Sequence, residues 1–153
     1  MEARIRNPAM LVPNAGQSLM ALGQLAKASA PEKLLGLLHL RVSQINGCAA
    51  CLNLHVLMKD IDETPERLFT LPAWRESPFF TPAERAAFAL AEQITRIEGG
   101  VSDEVWDEAA RHYDQPTLAA IVLHVSVVNL YNRVNVATRQ VAGQEEWLKT
   151  KLR

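Results

Sequence analysis

The sequence predicts an all-α protein, a single-domain bundle of about six to eight helices over residues 1–153, and three observations carry that expectation. Apolar residues recur three and four apart along nearly the whole chain, the period of a helix with one buried face. No run of alternating β-branched residues bounded by turns reads as a strand. Prolines, glycines and small polar caps divide the chain at helix-length intervals, without repeats, low-complexity tracts or linkers.

In chain order, Pro13 opens a helix to about Ala30 and Pro31 a second to about Asn46, because the first helical turn does not need the N–H that proline lacks. Asn46-Gly47 breaks the chain before a helix carrying "CAACLNLH". Thr64-Pro65-Glu66 starts a short helix to about Leu71, with Thr as its cap, and "PAWRESPFF" is then an irregular link. Thr81 and Glu84 have the spacing of a capping box, and the alanine-rich run behind them propagates to about Arg96 before Gly99-Gly100 stops it. Ser102 caps a helix through about His112. Gln115-Pro116 opens a long one, "TLAAIVLHVSVVNLYNRVNVATRQVA", ending before Gly143. Its first half is apolar on nearly every side, which predicts a place in the core or in a subunit interface. The tail "QEEWLKTKLR" is expected as a last amphipathic helix anchored by Trp147.

A chain of 153 residues can bury most of its apolar surface without staples. Sixteen Lys plus Arg against seventeen Asp plus Glu leave a net charge of −1, so no basic excess argues for nucleic acid as a partner. The start, "MEARIRNPAMLVPNAG", has no uninterrupted apolar region, and no stretch approaches the roughly 18 apolar residues of a membrane span. A soluble cytoplasmic protein with neither nucleic-acid nor membrane partner is expected. In a reducing cytosol a close cysteine pair is more often catalytic, redox-sensing or metal-binding than a permanent staple.

The two cysteines, Cys48 and Cys51, lie three apart with His55 four residues later. On a helix starting after Gly47, all three side chains fall within about 60° of one another, so imidazole and thiol can meet. The positive end of that helix favours thiolate, the nucleophile of peroxide reduction and disulfide exchange. Cys51 would attack a hydroperoxide with His55 as base and become a sulfenic acid, and Cys48 would condense with it to a disulfide. Two other readings stay open. A zinc site would need a fourth ligand beyond Cys48, Cys51, His55 and perhaps His39. An inert buried pair of small hydrophobes would not need Gly47 before it or His55 after it.

The string "LRVSQINGCAACLNLH" (40–55) resembles the core motif of the carboxymuconolactone decarboxylase superfamily, in its alkylhydroperoxidase D-like branch. "FFTPAERAAFALAEQIT" (79–95) and "VVNLYNRVNVATRQVAG" (127–143) are also similar to family members. The resemblance implies an all-α fold assembled as a homo-oligomer, a trimer or hexamer. It further implies a peroxidase whose disulfide is reset by a dithiol or lipoyl-type protein reductant; no cofactor or metal is expected. Carried over by position, Cys51 is the peroxidatic cysteine, Cys48 its resolving partner and His55 the relay base. The decarboxylase branch lacks the cysteine pair. Two positions depart from the family pattern: Gly36 stands twelve residues before Cys48 where the family has a relay glutamate, and Ala50 where well-known members have histidine. His39, one turn after Gly36, or Glu32, one turn before it, could stand in for that carboxylate. A disulfide oxidoreductase and a non-catalytic redox-sensing oligomer remain alternatives.

Gly36 inside a helix is expected to mark close packing, or else room for a ligand or water. His112 and His124 are assigned to structure. Asn129, Asn132 and Arg133 make a polar cluster on an apolar helix and must find partners if buried, which points to roles supporting the site or an interface. Trp74, Phe79 and Phe80 are expected either in a contact between helices or on the wall of an apolar pocket.

Overall fold

A computed structural model of the chain describes residues 1–58 and 62–144, with side chains for all of these except 55–58. Among the described residues eight α-helices follow one another: α1 (Pro8–Leu11), α2 (Ala15–Lys27), α3 (Glu32–Ile45), α4 (Ala49–Met58), α5 (Pro65–Thr70), α6 (Pro82–Arg96), α7 (Asp103–His112) and α8 (Gln115–Ala137). A 3-10 turn at Leu71–Ala73 follows α5, and no strand is present among these residues. The expected helix around Trp147 lies outside the described residues.

Helix α3 packs against α4, α6 and α8, while α2 lies on α8 and α7 on α6. Leu34, Leu35, Leu37, Leu38 and Val42 put one apolar stripe of α3 into the core. Against it α6 turns Leu90 and the alanines Ala86, Ala87 and Ala91, the last three small enough for the helices to approach closely, and α8 turns Ile121, Val125 and Val128. Fully burying a side chain such as Leu38 stabilises the fold by about 1.5–3 kcal/mol. Trp74 and Phe80, from the linker, close over Phe88 with ring centroids 5.6 and 5.2 Å away. They form a core contact rather than a pocket wall, and Phe79 faces solvent.

The caps follow the sequence. Thr81 and Glu84 form the reciprocal capping box, and Thr64, Ser102 and Asp114 accept backbone N–H groups at the starts of α5, α7 and α8. Two ends differ. Helix α1 was not expected; Asn7 caps it by accepting the Ala9 N–H at 2.9 Å. Helix α8 stops at Ala137 rather than near Gly143, because the amino-terminal segment takes up its last carbonyls. The Arg4 N–H donates to the Thr138 carbonyl at 2.9 Å and its guanidinium to Ala137 at 3.0 Å. By length and composition α8 is also apolar enough to cross a membrane, against the expectation of no such segment, with half of its apolar window buried inside the bundle.

One carboxylate ties α3, α6 and the linker together. Glu92, 1% exposed, accepts from Arg41 Nη2 at 2.6 Å, Trp74 Nε1 at 2.9 Å, and Arg75 and Arg96 at 3.0 Å each. Burial alone would raise its pKa; the donors from Trp74, Arg75, Arg41 and Arg96 outweigh that and lower it to about 2 from 4.5. A depressed carboxylate stabilises the native state above its unfolded pKa and loses that contribution as pH falls through the folded one. Melting temperature should therefore fall between about pH 4.5 and pH 2. Glu92→Gln should be less stable at pH 7 by about 3 kcal/mol, with a shallower acid limb. An unchanged limb in that variant would remove Glu92 from the explanation.

Candidate functional site

The site begins with the end of α3. Asn46 is the last residue with helical dihedrals, and Gly47 takes φ +65°, a conformation that glycine adopts without the penalty a Cβ brings. The Gly47 N–H then reaches the Gln44 carbonyl at 3.3 Å and the Cys48 N–H the Ser43 carbonyl at 3.0 Å, the paired bonds of a Schellman ending. The chain reverses within two residues and sets Cys48 immediately before α4. Its Sγ receives the Cys51 N–H at 3.3 Å, in the manner of a cap. The helix thus carries Cys51 and the backbone of His55, while Cys48 stands at its threshold.

Cys48 and Cys51 are joined as a disulfide, their Cα atoms 5.3 Å apart. Both are buried. Above them runs the polar stripe of α8, Asn129, Asn132 and Asn135, spaced three apart so that all share a face. Asn132 Nδ2 lies 3.0 Å from Cys51 Sγ and 3.0 Å from Ser43 Oγ; Asn135 Nδ2 lies 3.3 Å from Cys51 Sγ and 3.9 Å from Cys48 Sγ. Asn46 Nδ2 donates at 2.9 Å to both Asn129 Oδ1 and Asn132 Oδ1, linking the turn to the stripe. Arg133 Nη1 adds a bond to Asn129 Oδ1 at 2.6 Å, and Asn129 Nδ2 reaches Thr95 Oγ1 at 3.2 Å. A surface groove of about 360 Å³, lined by Asn46, Asn132, Arg133, Val136 and Ala137, opens beside this network.

Of the residues expected at the site, Cys48, Cys51, Asn132 and Arg133 belong to one connected cluster. The side chain of His55 lies outside the described residues. His39 lies on the wall of a cavity of about 180 Å³ between α2, α3, α4 and α8 that His124, Tyr131 and Leu54 also line. Gly36 is among the residues that line this cavity. The rings of His39 and His124 meet at 65° with centroids 6.0 Å apart, and His124 Nε2 donates to the Leu35 carbonyl at 2.9 Å, a structural role as expected. Ser43, Asn46 as a donor, and Asn135 were not anticipated. A period-three run of asparagines in an apolar helix was the available signal.

The model of the carboxymuconolactone decarboxylase family matches residues 13–93. An uncharacterised Bacillus subtilis protein, YdfG, is 39% identical over 103 residues, covering 66% of this chain and 70% of its own length. The crystal structure of ATU0492 from Agrobacterium tumefaciens, of unknown function and provisionally named an antioxidant defence protein AhpD, superposes with a TM-score of 0.85. Its identity is 29%, over 94% of this chain and all of its own. The debrominase Bmp8, in complex with 2,3,4-tribromopyrrole, shares the fold at a TM-score of 0.75 and 21% identity, over 94% of this chain and 77% of its own. With the family match spanning more than half of its length and the fold recurring in ATU0492, the chain belongs to the carboxymuconolactone decarboxylase family.

Proposed function

We propose that this chain is a thiol-dependent peroxidase that reduces small organic hydroperoxides or hydrogen peroxide through a Cys48–Cys51 dithiol and disulfide cycle. The observation that carries the reading is the disulfide closed across the first turn of α4, with Cys51 inside the helix and Cys48 before it. In the cycle, the Cys51 thiolate attacks the terminal oxygen of the hydroperoxide. The O–O bond breaks, the alcohol leaves with a proton, and Cys51 holds the oxygen as a sulfenic acid. Cys48, as thiolate, attacks Cys51 Sγ and expels that oxygen, which leaves as water after taking a proton. A dithiol or lipoyl-type protein reductant returns two electrons, which suits a reducing cytoplasm. His55, one turn beyond Cys51 along α4, is the proposed base, and His39 is a proposed relay through the cavity at Gly36.

A homo-oligomer, trimer or hexamer, is part of the same proposal. Met10, Leu11, Val12, Met20 and Leu25 of the first two helices and the turn between them are between 46% and 66% exposed, a density of apolar side chains that suits a subunit contact. Light scattering on the eluting protein should give a trimer or hexamer of the 17.0 kDa chain, and Met20→Glu with Leu25→Glu should shift it to lower mass. A monomer in the unsubstituted protein would contradict the assembly.

The activity is tested by the rate at which the reduced protein loses its two thiols in cumene hydroperoxide between pH 5 and 9. Loss should be at least about a hundredfold faster than for a free thiol, abolished in Cys51→Ser and slowed about tenfold in His55→Ala, the range of a general base. Loss at the rate of a free thiol would sink the peroxidase and favour disulfide exchange with small or protein disulfides.

A further inference from the structure

The asparagine stripe of α8 aims two amide N–H groups at one sulfur. Asn132 Nδ2 and Asn135 Nδ2 both donate to Cys51 Sγ, at 3.0 and 3.3 Å. Neither amide is free to turn, because each carboxamide oxygen is held by a further asparagine: Asn46 Nδ2 donates to Asn132 Oδ1 at 2.9 Å, and Asn7 Nδ2 to Asn135 Oδ1 at 3.0 Å. Fixing the oxygens fixes the nitrogens on the sulfur. Among the described residues, Cys48 Sγ has the Cys51 backbone N–H at 3.3 Å and the more distant Asn135 Nδ2 at 3.9 Å.

A disulfide sulfur is a weak acceptor, whereas a departing thiolate is a strong, charged one, and donors already in place need no reorganisation as that charge develops. The two amides therefore stabilise Cys51 most at the moment the S–S bond breaks. A leaving thiol stabilised as its anion departs faster, so the sulfur attacked is its partner. Exposure does not oppose this choice, since Cys48 at 1% and Cys51 at 4% are buried alike.

We infer that Asn132 and Asn135 are positioning residues that make Cys51 the leaving thiolate when a thiol reductant opens the disulfide, so that the reductant becomes bonded to Cys48. The reductant thiolate attacks Cys48 Sγ, the Cys48–Cys51 bond breaks, and its electron pair stays on Cys51 Sγ. A second reductant thiolate then attacks the reductant sulfur of the mixed disulfide. That step releases Cys48 as a thiolate, which takes a proton, and leaves the oxidised reductant as a disulfide. Cys51 is left charged and held by both amides. This rests on the dithiol cycle proposed above but not on peroxide as its oxidant.

The test exposes the oxidised protein briefly to 2-mercaptoethanol, quenches with N-ethylmaleimide, and locates both adducts by fragmentation between Cys48 and Cys51. Mercaptoethanol should sit on Cys48 and maleimide on Cys51 by at least about ten to one, and Asn132→Leu with Asn135→Leu should bring the ratio to within about threefold. If the double variant does not fold, Asn135→Leu and Asn7→Ala alone should each lower the ratio. In Cys48→Ser, the pH midpoint of thiolate ultraviolet absorbance should rise by about one unit on adding Asn135→Leu. A mixed disulfide mainly on Cys51, or a ratio and midpoint unmoved by the substitutions, overturns the inference. A protein that traps on Cys48 but ignores peroxide keeps the inference and loses the peroxidase.

Discussion

Helix α8 must bury asparagine side chains inside an otherwise apolar bundle, and satisfying those amides fixes the geometry of the dithiol. Asn132 is fully buried and Asn129 nearly so. An unpaired amide there would cost about 1–3 kcal/mol, so the native structure must bring partners to it. The partners come from Ser43 and Asn46 at the end of α3, from Thr95 on α6, and from the sulfur of Cys51. The register of α8 against α3 and the sharp turn at Gly47 are thus coupled to the position of the cysteines. The same bonds that stabilise the core place donors on a sulfur.

A second polar centre works by a different rule. Glu92 gathers Arg41, Arg75 and Arg96 with the Trp74 indole around one buried carboxylate, holding α3, α6 and the linker after α5 in a fixed arrangement. Its charge is compensated on the spot. None of these groups bonds the amide network around the cysteines, where the charged donor Arg133 bonds Asn129 Oδ1 and the amides of Asn132 and Asn135 face the sulfur. Stability against acid and the polarity of the dithiol are consequently separable, the first resting on a charge cluster and the second on oriented dipoles.

Local chemistry explains what the sequence predicted well. Thr81 with Glu84, Ser102 and the Asn46-Gly47 stop are signals confined to a few residues, and each helix end they mark lies where expected. The cysteine pair, too, was readable from its spacing. Asn7-Pro8 carries the same kind of signal, a cap followed by proline, but the helix behind it is a single turn, too short to show an apolar period. The amide network was only half readable. Asn129 and Asn132 announced buried polarity, whereas the partners Ser43, Asn46 and Asn135 depend on how three helices meet. Gly36 shows the opposite limit: a glycine in a helix can mean contact or space, and the cavity wall it joins is built with side chains of α2 and α8 that are remote in sequence. Beyond its i,i+4 partner Arg96, the hub at Glu92 draws in residues 17 to 51 positions away, outside any periodic pattern.

The central claim, that Cys51 is the sulfur oxidised by peroxide in this amide-lined site, is most directly tested with dimedone, which captures sulfenic acids. In reduced Cys48→Ser treated with one equivalent of hydrogen peroxide, the account predicts a single dimedone adduct on Cys51, formed within the time of peroxide consumption. Recovery of Cys51 as an unmodified thiol under those conditions, with ready oxidation by a small disulfide instead, would contradict it.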